Sequence, residues 1–333
     1  MNTANGHDAL AVLRDEVKER EKTARRALLP LSKLRRFVMA SFLMLFILQF
    51  ARIKVLVGGL TGSVAVWLVK LIDPFAFAES LAASGEITAV ALTAVLPVIA
   101  VYLVFGRAFC GWVCPMDFLY EMVDSVKRRI REPGARGRKA KDAEQGALYS
   151  ARETENGEHK RGDSGRIPRR RGIPPRTGYF IAAGLLAFSA IAGIPFFTNY
   201  LSHLTNFFRA LTGGLFLSLD LPVETPVLLC SAGAVTVLLA LEYVFPRLWC
   251  RVLCPVGKTY GLFNRISLLR LTVEEGKCER CALCDQKCYM QVEISRHTDR
   301  GVIRDGNCIY CGRCVEGCAT RNSVIAMKLG RKP

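Results

Sequence analysis

The sequence predicts an α-helical integral membrane protein, with four transmembrane helices in two hairpins and a small C-terminal α+β domain. Three observations support this prediction: long apolar stretches, a net charge that alternates between them, and two regular cysteine runs near the C-terminus. Of the 333 residues, 51% are hydrophobic, which excludes a disordered or fibrous chain. The length also excludes a miniprotein held together by disulfides.

Four apolar stretches are candidates for membrane spans: residues 37–50, 87–105, 179–197 and 226–245. The last three approach the ~20 residues that a helix needs to cross the hydrocarbon core of a bilayer. The first is shorter, but the arginines that flank it can extend its span by snorkelling. One such stretch alone could be a buried core helix, whereas four in one chain predict a multi-pass membrane protein.

The charge of the intervening segments alternates along the chain. It is +4 for residues 1–36, 0 for 52–86, +7 for 106–177, −1 for 198–224 and +8 for 247–333. Positive segments stay in the cytoplasm, so we expect a bacterial inner (plasma) membrane protein with cytoplasmic N- and C-termini. Because topology explains the net charge of +17, the sequence gives no support for nucleic acid as a partner.

These boundaries divide the chain into five predicted segments. They are a cytoplasmic amphipathic segment (1–33), a first membrane hairpin (34–131), a basic cytoplasmic linker (132–176), a second membrane hairpin (177–270) and the C-terminal domain (271–333). Residues 55–69 are also apolar, but several glycines and polar residues interrupt them. We expect this stretch to be an interfacial or re-entrant segment and not a fifth span.

An internal repeat ends each predicted hairpin. FGRAFCGWVCP at residues 105–115 recurs as FPRLWCRVLCP at residues 245–255, an offset of 140 residues throughout. If the hairpins pack together, the repeat forms one four-thiolate site for an iron–sulfur cluster or another soft metal. Its cysteines are Cys110, Cys114, Cys250 and Cys254. Two redox-active dithiols, or cysteines that simply pack as small apolar residues, are the alternatives.

The C-terminal domain carries two Cys-x2-Cys-x2-Cys-x3-Cys runs, which is the spacing of a ferredoxin with two [4Fe–4S] clusters. In that arrangement the fourth cysteine of each run ligates the other cluster. The predicted ligands are Cys278, Cys281, Cys284 and Cys318 for the first cluster, and Cys308, Cys311, Cys314 and Cys288 for the second. Zinc is the alternative for such thiolates. Tyr289 and Ala319 stand where proline usually follows the fourth cysteine.

A membrane electron carrier that oxidises quinol needs a group to accept the quinol's protons. Asp73 and His203 are candidates in predicted outer loops, and Glu242 is a candidate inside the fourth span near its cytoplasmic end. Each has an ordinary explanation as well. His203 could be an exposed loop histidine, and Glu242 could form a salt bridge with Arg247 or Arg251.

At these motifs the chain resembles the NapH family, the polytopic ferredoxin-type subunits associated with periplasmic nitrate reductase. The resemblance is most specific at residues 109–115 and 249–261, in the two cysteine runs and at Asp73-Pro74-Phe75. It implies a quinol dehydrogenase of nitrate respiration that takes electrons from the quinone pool. The electrons would pass through the clusters to a periplasmic ferredoxin-type or multihaem cytochrome partner and a terminal reductase.

Other functions share these motifs. MauN-type proteins carry them, as do iron–sulfur assembly factors that reduce copper for a respiratory enzyme. A membrane copper reductase or assembly factor is therefore the alternative function, and a non-enzymatic redox sensor or scaffold is a third. The charge pattern also places both cysteine runs inside the cell, so a periplasmic partner must complete any path to a periplasmic reductase.

Overall fold

A computed structural model describes residues 31–48, 56–58, 63–66, 69–131, 173–174, 176–274, 276, 278, 283–295, 297, 301–319 and 324–330. Nearly all of the predicted amphipathic segment 1–33 and most of the predicted linker 132–176 lie outside the described residues. The described chain is mainly helical, with two small antiparallel sheets.

The first half begins with helix α1 (Leu31–Leu48) and a three-stranded meander of β1 (Leu56–Gly58), β2 (Ser63–Val66) and β3 (Val69–Ile72). An open sheet has unpaired edges, which cannot lie in hydrocarbon. The described strands of this region therefore do not form a membrane-spanning helix, and its placement at the interface stays a prediction. Helices α2 (Pro74–Ser84) and α3 (Ala89–Phe105) follow, and Asp73 caps α2 by accepting the N–H of Phe75 at 2.8 Å.

The two copies of the repeat fold alike. The first comprises α3, α4 (Ala108–Trp112) and α5 (Pro115–Arg131). The second comprises α8 (Thr225–Val244), the π-helix π2 (Trp249–Leu253) and α9 (Pro255–Phe263). In each copy a proline begins the last helix, where its fixed φ and missing N–H are tolerated. Between the copies lie α6 (Thr177–Ala192), the π-helix π1 (Phe197–Leu201) and α7 (His203–Ser218).

The same hydrogen bond closes the cysteine loop in both copies. The N–H of Cys114 donates to the carbonyl of Phe109 at 3.2 Å, and the N–H of Cys254 donates to that of Trp249 at 2.8 Å. The copies differ one turn earlier. Gly106 has a φ of 56°, but Pro246 takes its place in the second copy and cannot adopt a positive φ. In the second copy the positive φ occurs one residue later, at Arg247, with a value of 61°.

The C-terminal domain is a three-stranded antiparallel sheet with two short helices. Its strands β4 (Leu269–Val273), β5 (Val302–Ile303) and β6 (Ile325–Leu329) have the order β5-β4-β6. The helices are α10 (Leu283–Lys287), which carries Cys284, and α11 (Arg313–Ala319), which carries Cys314 and Cys318. Sheet and helices share one apolar core with the predicted cluster cysteines.

Helix α8, with 20 residues, is long and apolar enough to cross a membrane. Helices α3 and α6 are also apolar but shorter, at 17 and 16 residues. Each begins within three residues of the start of a predicted span. Their exposed faces carry large apolar side chains, such as Ile191, which is 87% exposed. One membrane-span candidate is thus present in the described chain, and the arrangement of four spans stays a prediction.

A buried ion network joins these parts. Arg35 of α1 binds Asp117 of α5 at 2.9 Å and Glu121 at 2.5 Å, and Arg247 binds the other oxygen of Asp117. Glu242 forms the expected salt bridge with Arg247, 3.4 Å from its Nε. Both arginines are fully buried.

The C-terminal domain enters the same network through Tyr289, whose hydroxyl accepts a hydrogen bond from Arg35 at 2.6 Å. Three guanidinium groups surround the tyrosine ring, with their carbons 5.7, 4.3 and 4.2 Å from its centroid. They belong to Arg35, Arg247 and Arg313. The aromatic side chain that replaces the usual proline thus docks the domain onto the helices, since ring faces attract cations.

We predict that Arg35→Gln destabilises the protein strongly and that Arg36→Gln does not. Arg35 is buried, so its loss leaves Asp117 and Glu121 without a charge partner, at a cost of about 3–5 kcal/mol. Arg36 binds the same Glu121 at 3.0 Å but is 53% exposed, and such pairs contribute about 1 kcal/mol or less. Thermal unfolding of both variants in detergent checks this, and equal shifts would contradict it.

Candidate iron–sulfur centres

The thiols of Cys110, Cys114, Cys250 and Cys254 lie together where the two copies of the repeat meet. Burial is the main cause that raises the pKa of each thiol, that of Cys254 to about 12. Neighbouring thiols raise these pKa values further: Cys110 acts on Cys114 and on Cys254, and Cys250 lies within reach of Cys114 and Cys254. The four thiols are therefore neighbours. We call this group of four cysteines the repeat site.

Two helix N-termini point at the repeat site. The N–H of Gly257, in the first turn of α9, donates to the sulfur of Cys254 at 3.3 Å. The N–H of Asp117 at the same position of α5 lowers the pKa of the Cys114 thiol, although burial outweighs it. Helix N-termini and their free N–H groups stabilise negative charge. By starting both helices, the prolines thus place a backbone N–H donor at one cysteine of each pair.

Two buried arginines flank the repeat site at equivalent positions of the repeat. Arg107 donates to the carbonyl of Cys250 and to that of Gly306, the latter at 3.0 Å. Burial raises the pKa of Cys110, and the Arg107 guanidinium lowers it. At Cys250 burial likewise raises the pKa of the thiol, and the Arg247 guanidinium lowers it. Both guanidinium groups therefore favour thiolates at this site.

The repeat site has the ligand chemistry of an iron–sulfur centre. It supplies four buried thiols, two backbone N–H donors and two buried guanidinium groups that favour thiolates. In a [4Fe–4S] cluster each of four cysteines binds its own iron. The residues present therefore fit such a cluster.

In the C-terminal domain, the structure brings together the four cysteines predicted for the second cluster. Burial and the thiol of Cys311 raise the pKa of Cys288 to about 12. Burial is again the largest cause at Cys308 and Cys314, and each of these thiols also feels Cys288 and Cys311. Cys288 thus lies near the cysteines of the other run, and the ligand set of the second cluster stays a prediction.

For the first cluster, the structure describes three of the four predicted ligands. Cys278, Cys284 and Cys318 belong to one packed core, and Cys281 lies outside the described residues. This ligand set stays a prediction.

The loop that carries Cys308 packs directly on the repeat. The indole N–H of Trp112 donates to the carbonyl of Tyr310 at 2.9 Å, and the amide of Asn264 donates to that of Cys308 at 2.8 Å. Gly111 lies so close that a Cβ there would be 2.5 Å from the carbonyl oxygen of Ile309. The cysteines of the second cluster and those of the repeat site therefore belong to adjoining loops.

The three candidates for the quinol site lie at the cysteine end of the molecule. Asp73 and His203 are expected in outer loops, but the structure places both beside the cysteine loops, because the chain folds back after α6 and before α2. His203 is buried, and its Nδ1 accepts the indole N–H of Trp249, next in sequence to Cys250, at 3.0 Å. Asp73 lies near enough to raise the pKa of both Cys110 and Cys254. Glu242 is held by Arg247.

Sequence reasoning missed the roles of Arg107 and Arg247 at the repeat site. Only the 140-residue offset that aligns them with the cysteine pairs could have indicated these roles.

Comparison with known proteins supports this description of the site. The sequence model of the family described as "4Fe-4S binding domain" matches residues 87–133 and 225–273, which are the two copies of the repeat. The ferredoxin-type protein NapH of Haemophilus influenzae is 25% identical over 280 residues, which is 80% of this chain and 79% of that protein. No solved structure matches the chain.

Two further relatives extend the comparison. The methylamine utilization ferredoxin-type protein MauN of Methylorubrum extorquens is 28% identical over 236 residues, which is 69% of this chain and 64% of that protein. An uncharacterised protein of Methanocaldococcus jannaschii is 24% identical over 230 residues, or 68% of each chain. The chain is thus similar to the NapH and MauN ferredoxin-type proteins. The NapH/MauN-like similarity indicates an iron–sulfur electron-transfer protein with [4Fe–4S] clusters.

We predict that Gly111→Ala loosens the contact between the C-terminal domain of this NapH/MauN-like chain and the repeat. The added Cβ would displace the backbone of Ile309, and such overpacking costs about 1–3 kcal/mol. Gly233→Ala in α8 is the matched control, because its Cβ would meet nothing within 4 Å and alanine favours helices. Melting temperatures of both variants check this; an unchanged value for Gly111→Ala would contradict the close contact.

Proposed function

We propose that this chain is a membrane subunit that oxidises quinol and delivers the electrons to a partner redox protein, toward periplasmic nitrate reductase. One observation carries the proposal: four thiols from the ends of two apolar helices meet beside the loop that holds Cys308. Cys110, Cys114, Cys250 and Cys254 would hold a third [4Fe–4S] cluster. When bound, the clusters supply one-electron acceptors and donors.

The protein part of quinol oxidation is proton removal, and Asp73 is the best placed of the three candidates. Burial raises the pKa of Asp73 to about 6, although the two backbone N–H groups at the start of α2 lower it. A base with a pKa near the working pH is the most effective proton acceptor. Both N–H groups bind the same carboxylate oxygen, Oδ1. The carboxylate can therefore cap the helix and accept a proton at Oδ2.

His203 and Glu242 are less suitable as proton acceptors. The Nδ1 of His203 already accepts a hydrogen bond from Trp249, and burial lowers the pKa of the ring to about 4. Its neutral ring is therefore a hydrogen-bond donor through Nε2. Glu242 is occupied by the guanidinium and the backbone N–H of Arg247.

The proposed orientation follows from the charge of the segments. If the basic segments are cytoplasmic, both Asp73 and the repeat site lie toward the cytoplasmic leaflet, and quinol is oxidised there. A separate protein must then carry the electrons to the periplasmic side. Multi-pass topology, cytoplasmic termini and a periplasmic ferredoxin-type or cytochrome partner are parts of this proposal.

We predict that the anaerobically purified protein contains about 12 iron atoms per chain and that Cys110→Ser lowers this to about 8, because a four-iron cluster is lost. Cys230→Ser is the control, since Cys230 is an exposed cysteine of α8 away from the repeat site. In the wild type, EPR spectra should show cluster signals after addition of quinol and also after addition of dithionite. About 8 iron atoms in the wild type would overturn the repeat-site cluster. Reduction by dithionite alone would overturn quinol oxidation and favour the copper-reductase alternative.

We predict that Asp73→Asn abolishes reduction by quinol but leaves reduction by dithionite intact. Asparagine caps a helix as well as aspartate does, so α2 should keep its start while the base is lost. In the wild type the rate of reduction by quinol should rise as the pH increases through about 6, because only the ionised carboxylate accepts a proton. Glu224→Gln, an exposed carboxylate before α8, is the control. An unchanged rate in Asp73→Asn would contradict the role of Asp73.

A further inference from the structure

The hydroxyl group of Tyr120 is buried and has no hydrogen-bond partner among the described parts of the chain. The side chain is 0% exposed and lies in α5, six residues after Cys114. Burying a hydroxyl without a partner costs about 1–3 kcal/mol, and buried tyrosines normally find one. Among the described residues, no protein atom accepts a hydrogen bond from this hydroxyl, so it can donate one to a bound group.

The surroundings of Tyr120 point to sulfur as the acceptor. Its ring packs in one cluster with Cys114, Met116 and Leu204, against which Cys250 also packs. Burial raises the pKa of Tyr120, and Cys250, Glu242, Cys114 and Cys254 raise it further, so these groups are its charged or ionisable neighbours. Glu242 is ion-paired with Arg247, and neither of its oxygens accepts a hydrogen bond from the hydroxyl. A cluster at the repeat site would add sulfur atoms next to the hydroxyl.

The equivalent residue of the other repeat copy is used differently. Tyr260 lies 140 residues after Tyr120, and its ring stacks on Tyr102 with centroids 4.0 Å apart and meets the edge of Phe109. The guanidinium carbon of Arg247 lies 5.5 Å from the ring centroid of Tyr120 instead. One tyrosine of the pair therefore builds an aromatic stack, while the other turns toward the thiols and a buried cation.

We propose that Tyr120 donates a hydrogen bond to a sulfur atom of the cluster that the repeat site holds, and so raises the reduction potential of that cluster. The inference rests on the proposed cluster. Hydrogen bonds to sulfur stabilise the reduced form, which carries one more negative charge than the oxidised form. Tyr120 is thus a positioning residue that tunes the repeat site toward the potential of a weak reductant such as quinol.

The test is an anaerobic redox titration, followed by EPR, of the full-length wild type, Tyr120→Phe and the control Tyr243→Phe. Tyr243 is 39% exposed, and its ring contacts Lys127, so it is a tyrosine away from the repeat site. We expect Tyr120→Phe to lower the midpoint potential of the one cluster that Cys110→Ser removes. The potentials of the other clusters, and all potentials in Tyr243→Phe, should be unchanged. An unchanged potential for the repeat-site cluster overturns the inference.

Two further measurements distinguish loss of the Tyr120 hydrogen bond from a folding defect and from failure of the proposed cluster. In wild-type protein exchanged into D2O, electron–nuclear double resonance should detect one deuteron coupling beyond those of the backbone N–H groups of Gly257 and Asp117, and Tyr120→Phe should lose that one coupling. Identical deuteron couplings in the wild type and in Tyr120→Phe would overturn the inference. Iron-free Tyr120→Phe should be as stable as iron-free wild type or more so, because the lost hydroxyl has no partner among the described residues. If iron counts show no repeat-site cluster in the wild type, the proposed site fails and the inference fails with it.

Discussion

One buried carboxylate, Asp117, holds the cysteine end of this protein together. Its two oxygens bind Arg35 from α1 and Arg247 from the loop before the second cysteine pair. A buried charge that loses its partner costs several kcal/mol, so α1, α5 and the second repeat copy must come together as a unit. Asp117 also lies in the first turn of α5, where its N–H faces Cys114. The ion network and the geometry of the repeat site therefore depend on the same residue.

The two repeat copies could be predicted because they are a local pattern of the sequence. Cysteine, proline and arginine recur at one offset, and the structure gives both copies the same loop-closing hydrogen bond. The difference between the copies could not be predicted from the pattern alone. Pro246 excludes a positive φ, and Arg247 adopts it instead. Such strain persists only where the surroundings hold the residue firmly, and Asp117 and Glu242 hold this arginine.

The positions of Asp73 and His203 could not be predicted from the sequence, for a different reason. Charge between apolar stretches assigns a loop to one side of a membrane, but it does not show whether the loop folds back. His203 meets Trp249, 46 residues later in the chain, through a single hydrogen bond. Nothing in the local sequence of either residue indicates that contact. The strands of residues 56–72 were missed likewise, because a short apolar run with glycines suits a strand, a re-entrant loop or a helix.

The two arginines of the repeat site differ in how their charge is balanced. Arg247 pairs with the carboxylates of Asp117 and Glu242. Arg107 is buried and donates to the backbone carbonyls of Cys250 and Gly306, and its Nε has no hydrogen-bond partner in the described chain. The neighbours that raise the pKa of Arg107 are Cys110, Cys250 and Cys254. Because metal binding deprotonates thiols, a cluster at the repeat site would supply the negative charge that Arg107 otherwise lacks.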